Sequence, residues 1–340
     1  MTHPITELLI AGIIRIAGKP PGNPPNLGDA PFVTLPLIAA DYPALTPAMW
    51  NAVYERFGMP DRNIMVVADP KHAAAILAAF RQDERYRGGG CGIGFKEIVL
   101  PHLDTLHPPA DRMGAVNIVK KTIDDRLVGW NTDGLGFARS LEERFSRRKE
   151  TLAEKRILLI GGGGSARPIA FALAERGAKL DIVNRTESKA EKIAKDVNAF
   201  TRGETAVAAG LHLIPTLIRE ADGVVSAVDD EKHLLDEYST LGAMPLPATR
   251  QSIRENHVEA HRRLELAKHS LIVADIRLRG QETAMLRHAR ELGFETLDGK
   301  PMVINQGVEA LWWLYGESLG RTGRTKEEVA AIMQEAAAAA

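Results

Sequence analysis

The chain has 340 residues, 45% of them hydrophobic, and a formal net charge of −1. That length supports two domains with sizeable cores. The balanced charge excludes the global basic field that draws proteins to nucleic acid or anionic membrane. Cys91 is the only cysteine, so an intrachain disulfide is impossible, and a reducing, cytoplasmic location is expected.

The first apolar run, Leu8 to Ile14, is too short to span a bilayer. Only His3 and Glu7 precede it as polar side chains able to carry charge, which is a poor secretory leader. A Pro- and Gly-rich stretch, Gly18 to Asp29, reads as a linker, so residues 1–30 are set apart as extension and linker. "FVTLPLIA" reads as a strand, "TPAMWNAVYERFGM" as a helix with Pro47 in its first turn, "NIMVVA" as a strand and "PKHAAAILAAFRQ" as a helix. "RGGGCGIGFKEIVLPHLDTL" reads as a short strand running into a helix, with Lys96 near the helix start. Two strand-like arms flank Asp124-Asp125, a hairpin signal.

A helix is expected from Gly134 to about Phe145, and it ends in the charged run "SRRKETLAEKR", read as a seam. Strand, glycine loop, helix, strand, turn and helix then follow through "ILLIGGGGSARPIAFALAERGAKLDIVNRTESKAEKIAKDV", a βαβ unit. "GVVSAV" and "SLIVADI" supply further strands, and the polar, helical stretch near 230–268 between them reads as an insertion on the domain edge. Helices around "MVINQGVEALWWLYGES" and "KEEVAAIMQEA" close the chain, and the final alanines are expected to fray. Strands and helices alternate throughout, so the fold class is α/β.

The glycine loop carries the strongest local signal. Gly161, Gly163 and Gly164 follow a strand at once and precede a helix that starts near Ser165. Glycines let the backbone turn sharply and let a pyrophosphate approach the free N–H groups of the helix end. The next strand ends in Asn184-Arg185-Thr186, with Lys189 one turn on. An acidic residue there would suit NAD, whereas Arg and Lys suit the 2′-phosphate of NADP. His257 and His261 stand four apart on a helix, but a zincin needs Glu directly after the first His, so metal binding is not expected. His102 and His107 read as surface or core histidines.

Asn131, Thr132 and Asp133 precede the helix that opens "DGLGF", an ordinary N-cap pattern. Locally, Asp133 suits capping and chemistry alike.

"AVNIV", "GWNTDGLGF", "LIGGGGSAR", "NRTESKA" and "QGVEALWWLYG", in this order, resemble the shikimate/quinate dehydrogenases from about Phe32 to the C-terminus. The resemblance implies a two-domain α/β fold: a substrate-binding domain from 31–132 plus 300–340, and a Rossmann-type NADP domain from 133–299. It implies reversible reduction of a ring ketone to a secondary alcohol, with 3-dehydroshikimate and shikimate as the default pair. By position in the motifs, Lys96 and Asp133 match the catalytic pair. Thr46, Asn117 and Gln306 match substrate-binding residues, and Gly299 matches a backbone contact near the nicotinamide. A lysine–carboxylate pair can hold an alcohol oxygen and relay its proton while the cofactor takes the hydride, which gives Asp133 work beyond a cap.

Three positions depart from the family pattern. Ala44 stands where relatives carry Ser, Gly92 where they carry Thr, and Leu278 where they carry Tyr. All three fall on the substrate side, so shikimate is expected to be a slow substrate, with a roomier, less polar pocket and with Arg277 available for a carboxylate. The rival readings are a relative specific for quinate, an aminoshikimate or another cyclic hydroxy acid, and a non-catalytic NADP-binding sensor. Expected partners are a small-molecule cyclic hydroxy acid, with no nucleic acid and no membrane, and a homodimer remains open.

Overall fold

A computed structural model of the protein describes residues 3–18, 27, 30–228, 237–242, 249–278 and 281–340. The chain forms two compact units, Met1–Thr132 with Val303–Ala340, and Asp133–Met302. The charged run at 146–156 therefore lies inside the second unit.

The first unit is built on a six-stranded mixed sheet in the order Asp61–Asn63, Phe32–Thr34, Tyr86–Gly90, Ile118–Lys121, Leu127–Trp130, Thr105–Leu106. Its faces are both covered, because neighbouring strand residues point to opposite sides. Val119 packs with Ile5, Leu77 and Phe80, whereas Ile118 packs with Trp50, Val308, Leu311 and Met333. The expected single strand "FVTLPLIA" is broken in two: Phe32–Thr34 joins this sheet, and Leu37–Ile38 pairs with Val66–Ala68 in a separate three-stranded sheet. Pro36 between them has no N–H to donate to a ladder. "NIMVVA" divides in the same way between the two sheets.

Residues 3–18 belong to this unit's core. Helix Pro4–Ile10 buries Ile5, Leu8 and Leu9, and Ile14–Ile16 pairs antiparallel with Val66–Ala68. Leu8, Leu9 and Ile14 of the apolar run are core, Ile10 is exposed, and no described helix is long and apolar enough to cross a membrane. Most of the Gly18–Asp29 linker lies outside the described residues. Helix Thr46–Arg56 carries Pro47 in its first turn as expected, and the hairpin pairs Lys121 with Leu127. The last helix, Lys326–Ala339, starts with a capping box of Thr325 and Glu328 and buries Ala337. The terminal alanines are helical through Ala339, because Ala337 is held in the core.

The second unit has a six-stranded parallel sheet in the order Ala206–Ala209, Lys179–Val183, Arg156–Ile160, Gly223–Ser226, Ile272–Asp275, Glu295–Leu297. In chain order this is 3-2-1-4-5-6, the dinucleotide-binding arrangement, which places ligands beyond the carboxyl ends of the strands. Helix Asp133–Arg147 lies flat against helix Ala166–Glu175, since a Cβ on Gly134 would stand 2.1 Å from the Pro168 carbonyl oxygen.

The stretch expected to be an edge insertion has a structural duty. Parallel neighbours need a crossover connection, and helix Arg250–Leu264 supplies it between Gly223–Ser226 and Ile272–Asp275. It is capped by Thr249 and Ser252 and buries Ala260 and Leu264 in the unit's core. Residues 229–236 and 243–248 of that stretch lie outside the described residues.

Candidate active site

Asn117 and Thr132 form the centre of the polar site in the first unit. The strand Ile118–Lys121 begins just after Asn117, and the strand Leu127–Trp130 ends two residues before Thr132, so the hairpin brings the pair together. The Asn117 Oδ1 accepts the Thr132 backbone N–H at 2.8 Å, and its Nδ2 donates to Thr132 Oγ1 at 3.0 Å and to Gln306 Oε1 at 2.8 Å. Thr132 Oγ1 in turn donates to the Gln306 backbone carbonyl at 3.1 Å. Asn131 Nδ2 donates to the Ala115 carbonyl at 3.0 Å. Thr132 is fully buried and Asn131 nearly so, whereas Asn117 and Gln306 are half-buried and keep a solvent-facing side. Neither Asn131 nor Thr132 was singled out by sequence reading except as cap residues.

Lys96 enters the same network through the backbone. It sits on a run of turns after the strand Tyr86–Gly90, and no helix forms there. Gly90, Gly92 and Gly94 weaken helix formation, and Gly94 holds a φ of +84°, where a side chain is strained. The turns are pinned at both ends to the Asn117 strand. The Cys91 N–H donates to the Asn117 carbonyl at 2.7 Å, and the Val116 N–H donates to the Lys96 carbonyl at 2.8 Å. Phe95 and Val99, both fully buried, anchor the turns from beneath. Burial pushes the Cys91 thiol up to about 12, while the charge of Lys96 pulls the other way.

Asp133 is the residue after Thr132 and the first of helix Asp133–Arg147. It is 2% exposed. A carboxylate in the first turn is favoured by the helix dipole, and the Asn117–Thr132 bonds fix the peptide that carries it. Thr46 opens helix Thr46–Arg56, which packs on the helix of Gln306 at Gly307. A Cβ there would lie 3.4 Å from Met49 Cε and 3.6 Å from Trp50 Nε1.

Two sequence expectations about the substrate side change. The absence of a side chain at Gly92 does not open space, since a Cβ there would stand 2.6 Å from Ile38 Cγ2. Arg277 is 8% exposed and turned inward, its N–H donating to Asp275 Oδ1 at 3.1 Å and its Nε 3.6 Å from that oxygen. Burial raises the Asp275 carboxyl, and Arg277 partly offsets this. Leu278 is partly exposed.

In the second unit the loop after strand Arg156–Ile160 makes a cradle for a dinucleotide. Gly161 has φ +139°, and a Cβ on it would stand 2.6 Å from the Ala227 carbonyl oxygen. Gly162, which sequence reading passed over within the four-glycine run, presses on the second strand's end: its Cβ would be 3.0 Å from Asn184 Cγ and from Lys189 Cβ. Gly163 faces open space, with nothing within 4 Å. Gly164 and Ser165 are half-buried, and Ser165 starts helix Ala166–Glu175 without a side-chain cap bond. The Arg167 N–H donates to the Gly163 carbonyl at 3.3 Å and Pro168 has no N–H, so an anion would meet the amides ahead of Arg167. Asn184 Nδ2 donates to the Thr186 carbonyl at 3.0 Å, and Arg185, Thr186 and Lys189 are all exposed around it. Gly299 starts helix Gly299–Arg321 so close to the strand end that a Cβ would lie 2.2 Å from the Ile276 carbonyl oxygen.

His257 and His261 pack as rings, both edge-on to His288, with centroids 4.6 and 4.5 Å away. Among the described residues no group of three or more His, Cys, Asp or Glu is arranged to hold a metal ion. The exposed His107 packs at a tilt on Trp130, with ring centroids 5.0 Å apart.

Residues 42–119 match the family model described as the shikimate dehydrogenase substrate binding domain, and residues 143–252 match that of shikimate / quinate 5-dehydrogenase. The shikimate dehydrogenase (NADP(+)) of Geobacillus kaustophilus is 32% identical over 268 residues, covering 78% of this chain and 86% of the relative. The crystal structure of shikimate dehydrogenase from Aquifex aeolicus aligns with TM-score 0.66 at 27% identity, over 84% of this chain and 92% of that one. The ligand-free 5-ketofructose reductase of Gluconobacter sp. strain CHM43 aligns with TM-score 0.65 at 28% identity, over 89% and 98%.

Proposed function

The chain belongs to the shikimate dehydrogenase family, and from that premise we propose that it is an NADP-dependent oxidoreductase interconverting a cyclic hydroxy acid and its ketone. Shikimate and 3-dehydroshikimate are the default pair. The observation that carries the reading is the Asn117–Thr132–Gln306 network, tied through Val116 to Lys96 and through one peptide bond to Asp133.

The second unit fits NADP, because Gly161 and Gly162 let the loop pack tightly on Ala227 and Asn184 at the strand ends while Gly163 opens onto free space. Gly161, Gly163, Gly164 and Ser165 would hold the pyrophosphate. Asn184, Arg185, Thr186 and Lys189 would hold the adenosine end with its 2′-phosphate, and Gly299 would meet the nicotinamide end through its backbone. When bound, the cofactor accepts or supplies the hydride.

The chain's own residues do the rest. Lys96 and Asp133 hold the reacting oxygen and move its proton. Asn117 Nδ2 already donates to Thr132 and to Gln306, so Asn117 would orient Gln306, whose amide nitrogen would donate to a ring hydroxyl, and Thr46 adds a hydroxyl from its helix. The reaction runs in the cytoplasm, where a lone buried thiol such as Cys91 stays reduced.

A second reading, in which another hydroxylated ring or sugar ketone is preferred, is favoured by Ile38 filling the place of a side chain at Gly92. Reduction of NADP+ with shikimate and quinate, and oxidation of NADPH with 5-ketofructose, separate the two. The first reading requires shikimate to be the most efficient substrate. The second requires shikimate to trail another member of the panel.

A further inference from the structure

We propose that Asp41 is a positioning residue for the substrate side: its carboxylate ties the N-terminal strand Ile14–Ile16 to the segment between Ile38 and Thr46, and that tie steadies the turn of Lys96. The inference rests on the proposed turnover of a hydroxy acid.

The turn of Lys96 begins at one edge of the small sheet. Three neighbouring strands of the large sheet lead into it: Phe32–Thr34 into Leu37–Ile38, Asp61–Asn63 into Val66–Ala68, and Tyr86–Gly90 into Cys91. Leu37 pairs with Val66 on one side and with Cys91 on the other. Two backbone bonds carry the second pairing toward Lys96. The Gly92 N–H donates to the Leu37 carbonyl at 2.9 Å, and the Ala39 N–H donates to the Ile93 carbonyl at 3.0 Å. The next residue presses on the same place, since a Cβ on Gly94 would stand 2.6 Å from the Ala39 Cβ. A shift of Ala39 is therefore felt by the turn just before Lys96.

The other edge of the small sheet is the N-terminal strand, which lies outside both segments matched by the family models. Ile14–Ile16 pairs with Val66–Ala68, and the Ala17 N–H donates to the Met65 carbonyl at 2.9 Å. Asp41 reaches back to this strand from two residues beyond Ala39. Its Oδ2 accepts the Gly18 N–H at 2.8 Å and Arg15 Nη1 at 2.9 Å. These two donors hold its carboxyl below the usual carboxylate range. A partly exposed ion pair fixes little by itself. Here the same oxygen also takes a backbone amide from a strand already paired to the sheet. Ala40, Asp41, Tyr42 and Pro43 are all exposed, so burial does not hold this segment in place. Pro43 and Pro47, with their fixed φ, stiffen the path from Asp41 to Thr46.

Asp41→Ala removes the acceptor for both donors. At saturating NADP+, kcat/KM for shikimate or quinate should fall about 5- to 100-fold. The lower bound is the loss of one exposed ion pair, and the upper is a reacting group displaced by about 1 Å. The KM for NADP+ should not move, because the residues assigned to the cofactor belong to the other unit. Asp41→Asn keeps an acceptor for the Gly18 N–H and loses the charge, so it should recover kcat/KM to within about fivefold of the wild type. An unchanged kcat/KM in Asp41→Ala, whatever its melting temperature, marks a structural residue, overturns the role and leaves the proposed function standing. Should Asp41→Ala not fold, Arg15→Ala carries the test. It spares the Gly18 bond and should lose about two- to fivefold in kcat/KM, and no loss overturns the role. No turnover by the wild-type protein on shikimate, quinate or 5-ketofructose overturns the proposed function, and the role of Asp41 with it.

Discussion

Asn117 accepts the backbone N–H of Thr132 on its Oδ1 at 2.8 Å, so the side chain of one hairpin arm fixes the peptide that leads into Asp133. The same amide donates to Gln306, 189 residues further along the chain. One asparagine therefore sets the position of two other residues assigned to the site.

Removing that amide should act on substrate more than on fold. Asn117→Ala leaves the buried Thr132 N–H without its acceptor, which costs about 1–3 kcal/mol. A lower melting temperature and a large loss of kcat/KM are expected, with affinity for NADP+ intact. Thermal melts and steady-state kinetics on the same preparation check this. Full activity in Asn117→Ala would show that the network is packing alone.

Asp133→Asn keeps the shape and removes the charge. Turnover should fall by about 10²–10⁴, with little change in melting temperature. Calorimetric titration should show an unchanged affinity for NADP+. If turnover survives and only stability falls, Asp133 is a helix-start residue and nothing more.

The cofactor preference should rest on the exposed cations after the second strand of the second unit. Arg185→Ala with Lys189→Ala should narrow the preference for NADP+ over NAD+ by about ten- to a hundredfold, as for a lost charge-assisted bond. Equal affinities of the wild-type protein for both cofactors would remove this assignment.

Much of this was legible from residue patterns. The parallel strands of the second unit are continuous apolar runs punctuated by glycine, and Arg185 and Lys189 stand where the strand pattern places them. The first unit was harder to read. "FVTLPLIA" is apolar throughout, and only Pro36 marks the place where the chain leaves one sheet for another. The stretch of Lys96 reads as a short strand running into a helix, yet the three nearby glycines and two long-range backbone bonds hold it in turns. Gly162 is hidden in a run of four glycines, and its packing on Asn184 is a tertiary fact. The polar stretch near 230–268 reads as an edge insertion because its helix is mostly solvated. Its buried Ala260 and Leu264 are too few to announce a crossover.

The His288 cluster predicts a pH response. Burial, with help from His261, His257 and Arg287, lowers the His288 pKa from the usual 6.5 to about 4. A depressed histidine pKa means that the unfolded chain binds the proton first, so stability is full above the unfolded value and falls with pH toward the folded one. The groups around it include His257, which bonds the Glu237 carbonyl at 2.6 Å, and His261, 3.7 Å from Glu291. The melting temperature should therefore fall between about pH 7 and about pH 5, and His288→Leu should flatten that slope. Parallel slopes for the two proteins would show that the cluster does not govern acid stability.

The most direct test of the central claim is the rate of NADP+ reduction by the purified protein with shikimate and quinate, measured beside its Lys96→Ala variant. The account predicts steady formation of NADPH by the wild-type protein and a rate about 10²–10⁴ lower in the variant, with NADP+ binding retained by both. Equal rates in the two proteins, or no NADPH formed by the wild type with either substrate, would contradict it.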